Sequence, residues 1–293
     1  MKKNFVILAF LLLLIPSISG KTPSSPPYPS HIAPLYFGPN AFPIPDMLDG
    51  RTSGVLKAEI YADSIFGTNS GGAVMDDFTA DMFLRIRIPL FTSRVNLVIW
   101  DDAVEYYSSG PSVNELREIN AEGRVSGFCH GDIYISTDIQ ILEQEKHWLD
   151  LSARIGMKTA SGQSYENSRY YDCPGYFFDG SFGRNFKVGS NAMLRTSLSA
   201  GFMCWQTDNW KQNDAVMYGV QAAFEKGRFR ISETWGGYFG WRHHGDNPMS
   251  LKTKLSWAFN NFSLNLEHQC GFIDWPFQQI RFGLEYHLNI IRR

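Results

Sequence analysis

After residue 20 the sequence has no run of about 18 apolar residues, the length a membrane-crossing helix needs. That excludes a helical membrane protein but not a β-barrel, whose strands need apolar residues only at alternate positions. A surplus of one charge is missing too. The 27 basic residues face 29 acidic ones, for a formal net charge of −2, which argues against a nucleic-acid partner. Cysteine is sparse, with 4 in 293 residues. None directly follows the apolar leader, so no lipoprotein attachment site is present.

The leader itself has the parts of a signal peptide over residues 1–20. Lys2 and Lys3 open it, an apolar stretch follows over residues 5–15, and Ser17, Ser19 and Gly20 supply small residues near the cut. Residues 21–50 form a second region, rich in proline: Pro23, Pro26, Pro27, Pro29, Pro34, Pro39, Pro43 and Pro45. Proline fixes φ and removes a backbone donor, so this arm is neither helix nor sheet interior. Its first part reads as a linker. Tyr36, Phe37, Phe42 and Ile44 in its second part are poor company for water, and predict that it packs against the periplasmic mouth of a barrel or inserts as a plug.

Residues 51–293 read as the barrel. The clearest stretch is the last, 278–290, where Ile280, Phe282, Leu284, Tyr286, Leu288 and Ile290 alternate with Gln279, Arg281, Gly283, Glu285, His287 and Asn289. A period of two over this length is a strand with one apolar and one polar face. It is long enough to cross a bilayer when tilted. The same alternation predicts strands over 55–65, 78–90, 94–100, 128–142, 148–159, 176–185, 192–205, 215–224, 228–238, 251–260 and 262–269, giving about 12 in all. Connections alternate in length. The longer ones, 67–76, 101–123, 160–175, 206–214 and 242–249, are separated by short turns such as Thr92-Ser93 and Asn260-Asn261. Short periplasmic turns, long outer loops and an even strand number are the plan of outer-membrane barrels. The fold class is therefore all-β, a closed antiparallel transmembrane β-barrel with a proline-rich N-terminal arm, in the bacterial outer membrane once the leader is removed. Aromatic residues make up 15 % of the chain. Trp100, Trp205, Trp210, Trp235, Trp241 and Trp275 fall at or near outward strand ends, Trp148 at a periplasmic end and Trp257 mid-strand. That distribution predicts interfacial girdles.

The segments FGPNAFPIPDM (residues 37–47) and RYYDCPGYFFDGSFG (residues 169–183) resemble uncharacterised outer-membrane barrels of the Bacteroidota type. The resemblance implies the barrel fold and outer-membrane location, and brings no catalytic or ligand residues with it. Arg281-x-Gly283-x-x-Tyr286-x-Leu288 resembles the C-terminal signal read by the barrel-assembly machinery, although Ile291-Arg292-Arg293 follow where a terminal aromatic is usual.

The polar faces carry the chemistry. Arg85, Arg87, Asp132, Asp138, Asp150, Arg154 and Lys158 fall on inward positions of neighbouring strands. Buried charges need partners, so they read first as a cross-lumen ion-pair network. The functional alternative is a constriction selecting small polar or anionic solutes. A narrow channel, or a structural or complex-forming barrel, is the leading reading. A surface-binding protein using its outer loops is another, and a lipid-modifying enzyme is the rival class. Outer-membrane phospholipase A is also a twelve-stranded barrel, but its Gly-x-His-x-Ser-Asn-Gly motif is absent. His268 has lipid-facing parity without a serine at His-x-Ser spacing. His243-His244-Gly245-Asp246 reads as a solvated loop rather than a metal site, and no cofactor is called for. Beyond membrane lipid, the assembly machinery and a small polar solute, no partner is implied. Cys129, Cys173, Cys204 and Cys270 map near outward strand ends. Cys173 and Cys204 flank the turn near Val188-Gly189 symmetrically and are candidates for a disulfide, given a bulge to reconcile their face parities.

Overall fold

The computed structural model describes residues 32–68, 74–207 and 212–291. The leader, the first part of the arm and Trp210 lie outside them. The strands are β1 (Val55–Thr68), β2 (Val74–Pro89), β3 (Val95–Ser109), β4 (Val125–Cys129), β5 (Tyr134–Leu142), β6 (Asp150–Lys158), β7 (Gly175–Val188), β8 (Ala192–Gln206), β9 (Gln212–Lys226), β10 (Phe229–Gly240), β11 (Met249–Ala258), β12 (Phe262–Ile273) and β13 (Phe277–Asn289). Every pairing is antiparallel. β13 pairs with β1 along its length, with Val55 opposite Asn289 and Phe66 opposite Gln278, which closes the sheet on itself.

The wall has twelve positions, because β4 and β5 occupy one between them. Both pair with β3: β5 over Val95–Trp100 and β4 over Glu105–Ser109. The single strand expected over 128–142 is thus broken at His130–Ile133. Gly131 leaves the ladder to donate to the Asp102 carbonyl, while the Asp132 carboxylate accepts backbone N–H groups from Ser161 (2.8 Å) and Gly162 (2.7 Å). β3 in turn runs well past the expected end at Trp100. Ala103 is a bulge, since Met82 lies opposite Val104 and Phe83 opposite Asp102. The extra residue shifts the parity, so that Asp102 and Glu105 both line the lumen while Val104 faces out. Beyond Ser109 the loop folds into a short helix, α1 (Pro111–Leu116).

Side chains sort by parity. Ile60, Ile155, Phe178, Leu198, Phe282 and Leu284 are among the exposed apolar residues of the outer face. Glu59, Asp63, Asp81, Arg154, Arg195 and Glu267 are among the buried inward ones. No soluble protein leaves apolar surface of this extent to water, and hydrocarbon is the medium that suits it. The barrel has a turn end, where both Val55 and Asn289 lie, and a loop end. Replacing Leu284, at mid-height opposite Ile60 and Leu264, by arginine is expected to cost about 2–4 kcal/mol in bilayer unfolding titrations in urea. A negligible change would mean that this face does not meet lipid.

Candidate functional site: a lumen threaded by its own arm

Residues 32–54 run the length of the lumen. At the turn end, the Thr52 hydroxyl donates to the Ser93 carbonyl (2.8 Å) and its N–H to Gln140 Oε1 (2.7 Å). Gly50 has φ +83°, and a Cβ there would meet the Gly183 nitrogen at 2.9 Å, so the kink that turns the arm upward suits glycine alone. Asp49 pairs with Arg51 at 2.9 Å, and its carbonyl takes hydrogen bonds from Arg195 and Ser197.

At mid-height Asp46 joins two separated wall strands, pairing with Arg85 of β2 (2.8 Å) and with Lys252 of β11. Arg85 also binds Glu59 at 2.5 Å. Higher up, the Asn40 amide donates to Asp81 and Glu105, each at 2.9 Å. Glu105 is the hub of this tier. It also binds Arg169 (2.7 Å) and Tyr170 (2.9 Å), both from the loop between β6 and β7. Arg117, which follows α1, pairs with Asp77 of β2.

The loop end is apolar and sealed. Phe37, Ala41 and Phe42 pack with Tyr171, Cys173, Phe177, Met203, Trp205 and Tyr238 in one buried cluster. The Tyr238 hydroxyl donates to the Phe42 carbonyl (3.2 Å), the Trp275 indole to Pro39 (3.0 Å), and the Gly38 N–H to Ser168 (2.8 Å). A Cβ on Gly38 would meet the Arg169 guanidinium at 2.7 Å, so a larger residue there would have to displace that buried side chain. The arm reaches the loops themselves where Leu35 donates to Gly245 and the Tyr36 ring lies 5.6 Å from that of His244. The two sequence segments that carried the resemblance, 37–47 and 169–183, therefore pack on each other.

Below the seal lies a cavity of about 800 Å³, reaching the turn end at Val55, Arg228 and His287. Of the residues singled out in the sequence, Arg85, Arg87, Asp138 and Arg154 line it. They do not form one cluster. Arg154 pairs with Asp179 (2.7 Å), Asp138 accepts from Ser136 (3.1 Å), and Arg85 is held by Glu59 and Asp46. Asp132 and Lys158 pair with each other at 2.5 Å nearer the loop end, and Asp150 pairs with Arg195 (2.9 Å) nearer the turn end. Asn40, Asp46 and Asp49, which organise the lumen, escaped the sequence reading. They sit in a segment without periodicity, and nothing local names their partners. Asp102 and Glu105 were missed because they follow the bulge.

Two expectations are corrected. Cys173 and Cys204 are unbridged. Cys204 lies opposite Tyr176 on β7, whereas Cys173 precedes that strand in a loop whose carbonyl is held by Lys158 (2.7 Å). Burial pushes the Cys173 thiol up to about 12, so it is inert as a nucleophile. Nor do all outward-end tryptophans form a girdle. Trp205 and Trp275 are buried in the seal, and Trp100 stacks on Tyr134 inside the lumen, while Trp148, Trp235, Trp241 and Trp257 are exposed. His268 is exposed and hydrogen-bonded to Gln278 (2.8 Å), with no serine in that bond. No group of three or more metal-ligating side chains occurs among the described residues.

The sequence matches no family model and no curated protein. In structure it is similar to an outer-membrane channel of Pseudomonas putida F1, with TM-score 0.55 and 10 % identity over 83 % of this chain and all of that one. The fold is that of an outer-membrane β-barrel. Weaker likenesses include the transport unit of the autotransporter AIDA-I from Escherichia coli (TM-score 0.47, 12 % identity, 87 % of this chain and 99 % of that one). The KdgM porin is another (TM-score 0.44, 10 % identity, 78 % and 98 %). Within this barrel, Arg169 has no exposed side-chain surface and binds Glu105 and Asp77. Arg169→Ala removes the cation that pairs with Glu105 and leaves Asp77 to Arg117 alone, and is expected to destabilise the barrel by about 3–5 kcal/mol in equilibrium unfolding. A loss under about 1 kcal/mol would show that the tier does not hold the arm to the loops.

Proposed function

We propose that this protein resides in the outer membrane, turn end in the periplasm, and acts as a channel for small polar solutes closed at its outer end by its own arm. The observation that carries this reading is the cavity of about 800 Å³, lined by charged and hydroxyl side chains from wall and arm, which stops at the apolar seal. A barrel built only for structure has no need of a wet, charged void reaching one mouth. The likeness to an outer-membrane channel supports the reading at the level of fold. The segments 37–47 and 169–183 support assigning it to the Bacteroidota type.

Movement of the arm opens such a channel. Asp46 is the natural latch, because one carboxylate holds cations from β2 and β11. Charge-assisted bonds of this kind are the strong ones. Loops serving a separate binding role fit less well, since the loop between β6 and β7 is committed to the arm through Ser168 and Tyr171 and to the wall through Arg169.

In planar bilayers the intact protein is expected to be closed for most of the time. Asp46→Asn should open several times more often, and deletion of residues 33–48 should give steady current. Neutralising Arg85, Arg87 and Arg154 in the deleted form should change ion selectivity. A deleted form that folds, as judged by heat-dependent gel mobility, yet passes no current would refute the channel reading.

A further inference from the structure

The register places three basic residues in one row at the turn end of the lumen. Lys57 of β1 lies opposite His287 of β13 on one side and opposite Arg87 of β2 on the other. Directly opposed residues share a face with Cβ atoms about 4.5–5.5 Å apart, and like charges so placed destabilise a sheet. All three line the cavity.

The carboxylates nearby do not neutralise the row. Glu285, in the next row inward, serves both Lys57 (2.7 Å) and His287 (2.6 Å). Glu59 is taken by Arg85 at 2.5 Å. Arg87 makes no ion pair among the described residues, and its Nε is buried without a hydrogen-bond partner. The arm passes this level at Thr52 and Ser53, which carry no charge, and Arg51 is turned toward Asp49 and Glu225. A solvated arginine at a mouth is common. Here the unpaired guanidinium stands beside the Lys57 ammonium and the His287 imidazole, which share the one carboxylate of Glu285, in a concave site, the arrangement that suits a planar or tetrahedral oxyanion held by a two-pronged donor.

We propose that Arg87, Lys57 and His287 form a binding site for a small oxyanion, a phosphate or a short carboxylate, entering from the turn end. The proposal deepens the channel reading by naming the solute class, and rests on that reading for its use in transport. The site is read by calorimetry on the intact protein in detergent, titrated with inorganic phosphate and, separately, with succinate. Saturable binding of either anion is expected, and which one binds tells phosphate from carboxylate. Arg87→Gln and Lys57→Gln should each weaken it about tenfold, which corresponds to about 1.4 kcal/mol. Arg124→Gln, whose pair with Asp76 lies at the loop end, should leave it unchanged. No saturable binding of either anion, or an Arg87→Gln protein that binds like the original, overturns the site. Binding by a protein that never conducts keeps the site and removes the channel. Conductance without anion binding overturns the site and keeps the channel.

Discussion

A closed wall of twelve positions encloses more room than inward side chains fill, since roughly eight strands are the size at which they just suffice. Everything else follows from how that surplus is occupied. The chain fills it with its own N-terminal arm, and the arm is polar wherever the wall is charged. Asp49 meets Arg195, Asp46 meets Arg85 and Lys252, and Asn40 meets Asp81 and Glu105. A buried charge without a partner costs several kcal/mol. Wall and arm therefore specify each other, since each supplies partners for the other's polar groups.

The filling is uneven, and that gives the lumen two halves. Toward the loops, Phe37 and Phe42 draw Tyr171, Trp205 and Tyr238 inward into a dry seal. Toward the turns, the arm thins to Ser53 and Thr52, and the wall keeps a charged cavity. The same division explains the tryptophans. Trp205 and Trp275 lie at a height where indoles often meet the membrane boundary, yet the arm offers them a packed interior and, for Trp275, a carbonyl acceptor at 3.0 Å. Tryptophan at a strand end serves either environment.

What could be read from the sequence was whatever repeats. Period-two stretches such as 278–290 and 148–159 gave strand, face and inward charge together, because one pleat decides all three. The alternation of loop lengths gave the closed antiparallel plan. What broke the period was lost. Ala103, as a bulge, hid the upper part of β3, and the departure of Gly131 and Asp132 from the ladder split one expected strand into β4 and β5. The candidate site was legible as a set of inward charges and illegible as pairs. Arg85 finds Asp46 39 residues away and Glu105 finds Arg169 64 residues away. Such partners are set by closure of the barrel and by the arm's path, neither of which leaves a local signal.

The arm crosses the whole lumen, from Leu35 at the loop end to Thr52 at the turn end. An epitope inserted between His31 and Ile32, and a second placed after Arg293, test it in cells that carry the protein in their outer membrane. With the turn end in the periplasm as proposed, antibody reaches the first tag on intact cells and the second only after the membrane is permeabilised. Both tags accessible from the same side would contradict it.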